Sequence, residues 1–161
     1  MNRFREWLRY DPLTGVFVWK KSVGSVKAGR IAGYIEPNGY RVIGFSGGSE
    51  KAHIIAWLLM YGTIPAGLEI DHKNGQRHDN RISNLRLATH RQNMANSRSR
   101  QNNTSGFKGV SLFKPTGRWM AYIVVNYKRI YLGYFSHAED AARAYDDAAR
   151  EHFGEFARTN F

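Results

Sequence analysis

The sequence predicts an α+β protein of two small domains, and three observations carry that expectation. Short apolar runs alternate with turn signals such as Asn38-Gly39 and Pro115-Thr116-Gly117, the pattern of antiparallel hairpins. Stretches with helical spacing fall between them, at 53–61 and 138–153. The segment 98–106 has no apolar residue and reads as a basic linker between domains 1–97 and 107–161.

The elements follow in order. Phe4, Trp7 and Leu8 share a helical face, and Asp11-Pro12 ends that helix. Val16–Trp19 reads as a strand. Residues 31–35 and 40–45 form a hairpin about Glu36-Pro37-Asn38-Gly39, and Gly47-Gly48 closes it. Residues 53–61 form a short buried helix stopped by Gly62. Residues 68–70 form a strand, 75–80 a polar turn and 85–88 a returning strand. Thr89, with Gln92 three residues on, caps the next helix. The C-terminal domain reads as three strands at 110–113, 119–125 and 129–135. Ser136 and Glu139 then box the start of a helix that turns Ala138, Ala141, Ala142, Tyr145, Ala149 and Phe153 to one side.

Composition narrows the function. The 161 residues hold 24 Lys plus Arg against 13 Asp plus Glu, a net charge of +11. That excess predicts a polyanionic partner, most simply nucleic acid. The basic residues are scattered among Gly, Asn and aromatics, which argues against a membrane-surface helix. There is no cysteine, so disulfides and thiolate zinc sites are excluded. The N-terminus does not read as a signal peptide, and the apolar run 54–60 is too short to span a bilayer, so a cytoplasmic protein is expected.

The chemistry concentrates in residues 70–93. Asp71-His72 stands at the end of the apolar strand, where neighbouring side chains can approach one phosphate from different angles. Asn93 lies one turn into the helix that follows Thr89. Asp71 and Asn93 offer two hard oxygen ligands, which suit Mg2+ or Mn2+ better than zinc. A neutral imidazole titrates near ~6.5, so His72 suits a general base. Asn84 is better placed to brace the loop by backbone hydrogen bonds. Alone, Asp-His is a common dipeptide and Asn-Gly a common turn; the joint pattern carries the reading. Arg86, Arg91, Arg98 and Arg100 suit phosphate contacts, with a solvated surface as the bland alternative. His53 reads as a buried, hydrogen-bonded structural residue, while His78, His137 and His152 read as solvent-facing or capping.

Residues 53–96 resemble the HNH (ββα-metal) endonuclease family, specifically its phage and intron-type homing enzymes. Asp71-His72, Asn84 and Asn93 fall on that motif in order and spacing. The resemblance implies Asp71 and Asn93 as ligands of one Mg2+ (or Mn2+) per active site, His72 as general base and Asn84 as the catalytic loop's brace. It implies 5′-phosphate and 3′-hydroxyl products. Many HNH enzymes have His at the last motif position; Asn93 matches the homing subgroup, with His90 as the alternative ligand. The zinc-knuckle cysteines of other members are absent, so no structural zinc is implied. The lead-in Tyr10-Asp11-Pro12-Leu13-Thr14-Gly15-Val16-Phe17-Val18-Trp19-Lys20 also resembles phage HNH proteins, less specifically.

Residues 105–161 resemble the plant APETALA-two/ethylene-response-factor DNA-binding domain. The matches include Gly109-Val110, Trp119-Met120-Ala121-Tyr122-Ile123, Tyr131-Leu132-Gly133-Tyr134-Phe135, Ala138-Glu139-Asp140-Ala141-Ala142 and Asn160-Phe161. The resemblance implies a three-stranded sheet laid in the DNA major groove with a helix behind it. Lys108, Ser111, Phe113, Lys114, Arg118, Tyr122, Lys128, Arg129 and Tyr131 are the outward candidates for DNA contact. Trp119, Ile123, Leu132, Phe135 and Tyr145 read as core. The first strand, Ser111-Leu112-Phe113-Lys114, lacks the arginines of the plant domains, so plant-like base preference is not implied.

These readings converge on a site-directed endonuclease of double-stranded DNA, of the phage homing type, acting in the bacterial host cytoplasm with a monomer favoured. A DNA-binding regulator with a vestigial nuclease domain is the alternative. An RNA-directed protein is disfavoured, because the A-form major groove is too narrow for the sheet.

Overall fold

Leu8 is the first departure from the expected helix. In the computed structural model, which describes residues 4–97 and 103–161, the helix α1 is the single turn Phe4–Trp7. The chain then extends into β1 (Leu8–Asp11), antiparallel to β2 (Val16–Trp19), with Leu8 opposite Trp19 and Asp11 opposite Val16. Alternation explains the switch. Phe17 and Trp19 are buried on one face of β2, and Leu8 joins them only as a strand residue.

The chain divides into two compact units, Met1–His90 and Arg91–Phe161. In the first, the Asn38-Gly39 turn joins β3 (Tyr34–Ile35) to β4 (Arg41–Phe45), and the Asn38 Oδ1 accepts the Tyr40 N–H at 3.0 Å. Gly47 turns the chain again rather than ending the hairpin. Gly48–Lys51 is a further strand, β5, giving a sheet of order β3-β4-β5. The strand expected from residue 31 is shorter, and Ile31 makes only an isolated bridge to Val18. The helix α2 (Ala52–Tyr61) buries Ala52, His53, Ile55, Ala56 and Leu59, and the Gly62 N–H closes it on the Leu58 carbonyl at 3.1 Å. Ile55, Ala56, Phe4, Phe17, Trp19, Ile43, Ile70 and Leu85 belong to one apolar core.

The last hairpin of this unit is β6 (Leu68–His72) and β7 (Leu85–Thr89). One expectation is corrected here. The strand does not stop at Ile70: Asp71 pairs with Arg86 and His72 with Leu85, so both lie within the ladder. Thr89 is the last residue of β7 and immediately precedes the helix α3 (His90–Ala95), the position the expected cap requires.

The second unit holds a sheet of order β10-β9-β8, from β8 (Val110–Phe113), β9 (Arg118–Val125) and β10 (Lys128–Phe135). The helix α4 (Ala138–Phe153) buries Ala141, Ala142, Tyr145, Ala148 and Ala149, and small side chains let it lie close to Val110, Ala121 and Ile123. The residue at its N-cap is His137, with no side-chain cap bond, so Ser136 does not cap as expected. Glu139 and Asp140 in the first turn complement the helix dipole instead. Asp146 explains the C-terminal Asn-Phe. It is fully buried, and its carboxylate accepts the Asn160 N–H (2.7 Å), the Asn160 amide (2.9 Å) and the Phe161 N–H (3.0 Å). Asn160 in turn accepts the Lys108 N–H at 2.7 Å.

Gly109 is the tightest point of this unit. Its φ is +75°, and a Cβ there would lie 2.0 Å from the Tyr145 ring and 2.7 Å from the Tyr122 carbonyl oxygen. Gly109→Ala is therefore expected to destabilise the second unit by about 3 kcal/mol or more. Chemical denaturation followed by amide NMR signals from residues 103–161 checks this; an unchanged midpoint would contradict it.

Candidate active site and nucleic-acid interface

Asp71 and His72 are both only 4% exposed, although they are polar and adjacent. As strand neighbours they take opposite faces. Asp71 lies across the ladder from Arg86, whose Nε donates to its Oδ2 at 2.9 Å; the pair is almost buried. Arg86, expected at a phosphate, meets this carboxylate in the fold.

His72 sits among aromatic rings. Its ring centroid lies 4.8 Å from that of His53 in an edge contact and 6.0 Å from that of Tyr40. Its Nε2 is 3.5 Å from the Asn80 Oδ1. Burial holds its pKa below the ordinary imidazole value, against the opposing pull of the Asn80 hydrogen bond and the Asp71 charge. The imidazole is therefore neutral at pH 7 and able to accept a proton.

Asn80 is the residue that sequence reasoning missed. It is 1% exposed, its amide donates to the His78 carbonyl at 3.0 Å, and its own carbonyl accepts the Tyr10 hydroxyl at 2.7 Å. Its signal was present: an asparagine eight residues after the Asp-His pair, in a loop that must turn back to β7. Asn84 ties the two ends of the same loop. Its Oδ1 accepts the Asn74 N–H (3.0 Å), its Nδ2 donates to the Asp79 carbonyl (2.8 Å), and its carbonyl accepts the Lys73 N–H (2.9 Å).

The N-terminal lead-in supports this loop from outside. The Pro12 carbonyl accepts the Ile82 N–H at 3.0 Å. Gly15 packs on the loop backbone: with φ +73°, a Cβ there would meet the Arg81 nitrogen at 2.5 Å and the Asn80 carbonyl carbon at 2.6 Å.

His53 is buried as expected, yet its Nδ1 has no hydrogen-bond partner. Burial, then the charges of His72 and Lys51, push its pKa down to about 3. His90 is exposed, with Nδ1 2.9 Å from the Glu69 carboxylate. Asn93 lies on α3 and so falls in the second unit. Among the described residues no group of three or more His, Cys, Asp or Glu could hold a metal ion. The expected ligand set has one carboxylate and one amide, so it forms no such group. Its chemistry still fits a hard divalent ion, because a carboxylate oxygen and an amide oxygen are both hard ligands.

In the second unit the outer face of the sheet follows from register. Ser111 pairs with Met120, Phe113 with Arg118, Arg129 with Val124, Tyr131 with Tyr122 and Tyr134 with Met120. Six of the expected contact residues therefore share one face: Ser111, Phe113, Arg118, Tyr122, Arg129 and Tyr131. Met120, Val124 and Tyr134 join them there. The Arg129 guanidinium lies 4.3 Å from the Tyr122 ring centroid, and the Arg118 Nη2 donates to the Tyr134 carbonyl at 2.6 Å. Lys128 pairs with Val125, in the row that faces α4, and Lys114 lies in the turn beyond β8.

Two further expected contacts have partners inside the chain. The Lys108 amine donates to the Ala95 (2.5 Å) and Ser97 (2.7 Å) carbonyls, and burial lowers its pKa to about 8. The Arg91 Nη1 donates to the Asn126 Oδ1 at 3.0 Å, and its guanidinium lies 5.1 Å from the Tyr127 ring centroid. Arg98 and Arg100 lie outside the described residues.

Two family models match the chain: HNH endonuclease over residues 50–95 and AP2 domain over residues 105–155. Protein 3.8 of Escherichia phage T7 is 34% identical over 110 residues, spanning 68% of this chain and 90% of that protein. The uncharacterized HNH endonuclease L560 of Acanthamoeba polyphaga mimivirus is 33% identical over 127 residues, 79% of this chain and 65% of its own length. The ethylene-responsive transcription factor ERN1 of Lotus japonicus is 48% identical over 66 residues, 40% of this chain but 24% of that protein. The match and the fold define a nuclease domain followed by a small sheet-and-helix domain. The chain belongs to the HNH endonuclease family and carries an AP2 domain at its C-terminal end.

Two outcomes follow from the first unit. Gly15→Ala is expected to cost about 2 kcal/mol or more and to displace Asn80 from His72; urea unfolding and the His72 NMR signal measure both. The His53 pKa is depressed in the folded state, so between ~6.5 and about 3 the unfolded chain binds more protons and stability falls as pH falls. Unfolding at pH 7.5 and 5.0 should show a smaller loss for His53→Leu than for the wild-type chain.

Proposed function

We propose that the chain hydrolyses phosphodiester bonds of double-stranded DNA, with Asp71 and Asn93 holding one divalent ion, Mg2+ or Mn2+, and His72 acting as general base. The observation that carries this reading is a neutral, buried imidazole beside a buried carboxylate on one strand of an HNH-matched segment. Asn80 holds the His72 ring by its Nε2. In this reading the other ring nitrogen takes the proton of an attacking water, and the Asp71 charge favours the imidazolium that forms. Arg86 orients the Asp71 carboxylate. The bound ion would supply charge stabilisation for the attacked phosphate and the departing 3′ oxygen. Asn84 and the lead-in hairpin keep the loop in register with the strand.

The AP2 domain would dock its outer sheet face, Ser111 to Tyr131, in the major groove and carry the nuclease to its site. Residues 98–106 are the joint between the two domains in this reading. Phage homing is the biological role we favour, in the cytoplasm of a bacterial host and as a monomer; support comes from the homing-type Asn93 and the phage T7 relative. Among the described residues no helix is long and apolar enough to cross a membrane.

The test uses a duplex selected from a random pool for binding to the full chain and cloned into a supercoiled plasmid. His72→Ala is expected to slow cleavage in Mg2+ by about 10²–10⁴-fold while leaving binding intact. A variant that cuts at the wild-type rate removes His72 as base. Duplex affinity should also fall steeply with salt, and Arg118→Ala and Arg129→Ala should each flatten that slope by up to ~1. A salt-independent affinity would contradict phosphate binding.

A further inference from the structure

We propose that Lys51 and Arg77, held on the ring of Tyr40, form a phosphate clamp for the DNA strand presented to His72; this rests on the nuclease reading above. Lys51 Nζ lies 4.6 Å and Arg77 Cζ 4.9 Å from the centroid of that one ring. The same ring lies 5.2 Å from His53 and 6.0 Å from His72. Two like charges thus converge beside the general base. Among the described residues neither cation makes a side-chain ion pair: only the backbone N–H of Lys51 meets Glu50, and the Arg77 Nη1 donates to the Asn38 carbonyl.

The convergence is built rather than incidental. Arg77 is drawn from the β6–β7 loop to the β3–β4 turn at Asn38, and Lys51 is the N-cap residue of α2, whose first turn holds no acidic residue. Like charges repel, so gathering them about one aromatic ring is favourable only if the ring and an incoming anion compensate. The unpartnered Nδ1 of His53 marks an unmet polar demand in the same cluster. A phosphodiester supplies what is missing: negative oxygens for two cations, next to the group that activates water. Lys51 and Arg77 would hold the phosphate in place and offset the charge it gains during attack.

The test measures the full chain on the selected duplex, with Lys51→Gln, Arg77→Gln, the double variant, and Lys21→Gln as a cation elsewhere. Binding in EDTA across salt concentrations and single-turnover cleavage in Mg2+ are both read. The double variant is expected to flatten the salt slope by about 2 and slow cleavage roughly 10–100-fold, with Lys21→Gln unchanged. A charge-keeping swap, Lys51→Arg with Arg77→Lys, should keep the wild-type slope. A double variant with the wild-type slope and rate overturns the clamp. A wild-type chain that binds but never cuts overturns the nuclease reading instead, and the salt slope then decides the clamp alone.

Discussion

The loop from Lys73 to Asn84 must return the chain from β6 to β7 while burying two asparagines, and most of the first unit is arranged around that requirement. A buried amide without partners costs about 1–3 kcal/mol, so each polar group in the loop has to find one. Asn84 bonds both ends of the loop, and Asn80 reaches His72, His78 and Tyr10. The short β1–β2 hairpin then acts as an outside wall. Tyr10, Pro12 and Gly15 all touch residues 80–82. The turn at Asp11 is itself fixed, since its carboxylate accepts the Leu13 N–H and the Thr14 hydroxyl. A segment far in sequence from the Asp-His pair thereby sets where the imidazole points.

Electrostatics divides the two active-site neighbours. Asp71 is ion-paired with Arg86 across the ladder, and removing one partner of such a buried pair costs about 3–5 kcal/mol. His72 loses its charge because its face of the strand is covered by His53 and Tyr40. Opposite faces of one strand end thus give an anion fit for a hard cation and a neutral base fit for a proton. The same separation explains why the ladder runs through both residues: a frayed strand end would expose both groups to water and erase the difference.

Much of this was legible in the sequence, and the misses have physical causes. The Asp-His pair, the Asn84 loop bonds and the sheet-and-helix unit follow from motif and alternation. The burial of Arg86 was not legible, because cross-strand register decides whether an arginine meets a phosphate or a carboxylate. Lys108 has the same history: its amine ends on the Ala95 and Ser97 carbonyls, contacts that no local pattern announces. The capping box at Ser136 did not form, because α4 starts one residue later than the box requires, with His137 at the N-cap. Lys51, Arg77 and Tyr40 lie far apart in sequence and meet only in three dimensions.

The central claim is hydrolysis that leaves the 3′ oxygen with the departing strand, and the chemistry of the cut ends tests it most directly. Plasmid nicked by the wild-type chain at its selected site in Mg2+ would be treated with DNA ligase alone. The account predicts resealing, which requires a 5′-phosphate next to a 3′-hydroxyl. Nicks that reseal only after phosphate is removed from the 3′ end and added to the 5′ end would contradict it, as would an intact plasmid at a confirmed bound site in both Mg2+ and Mn2+.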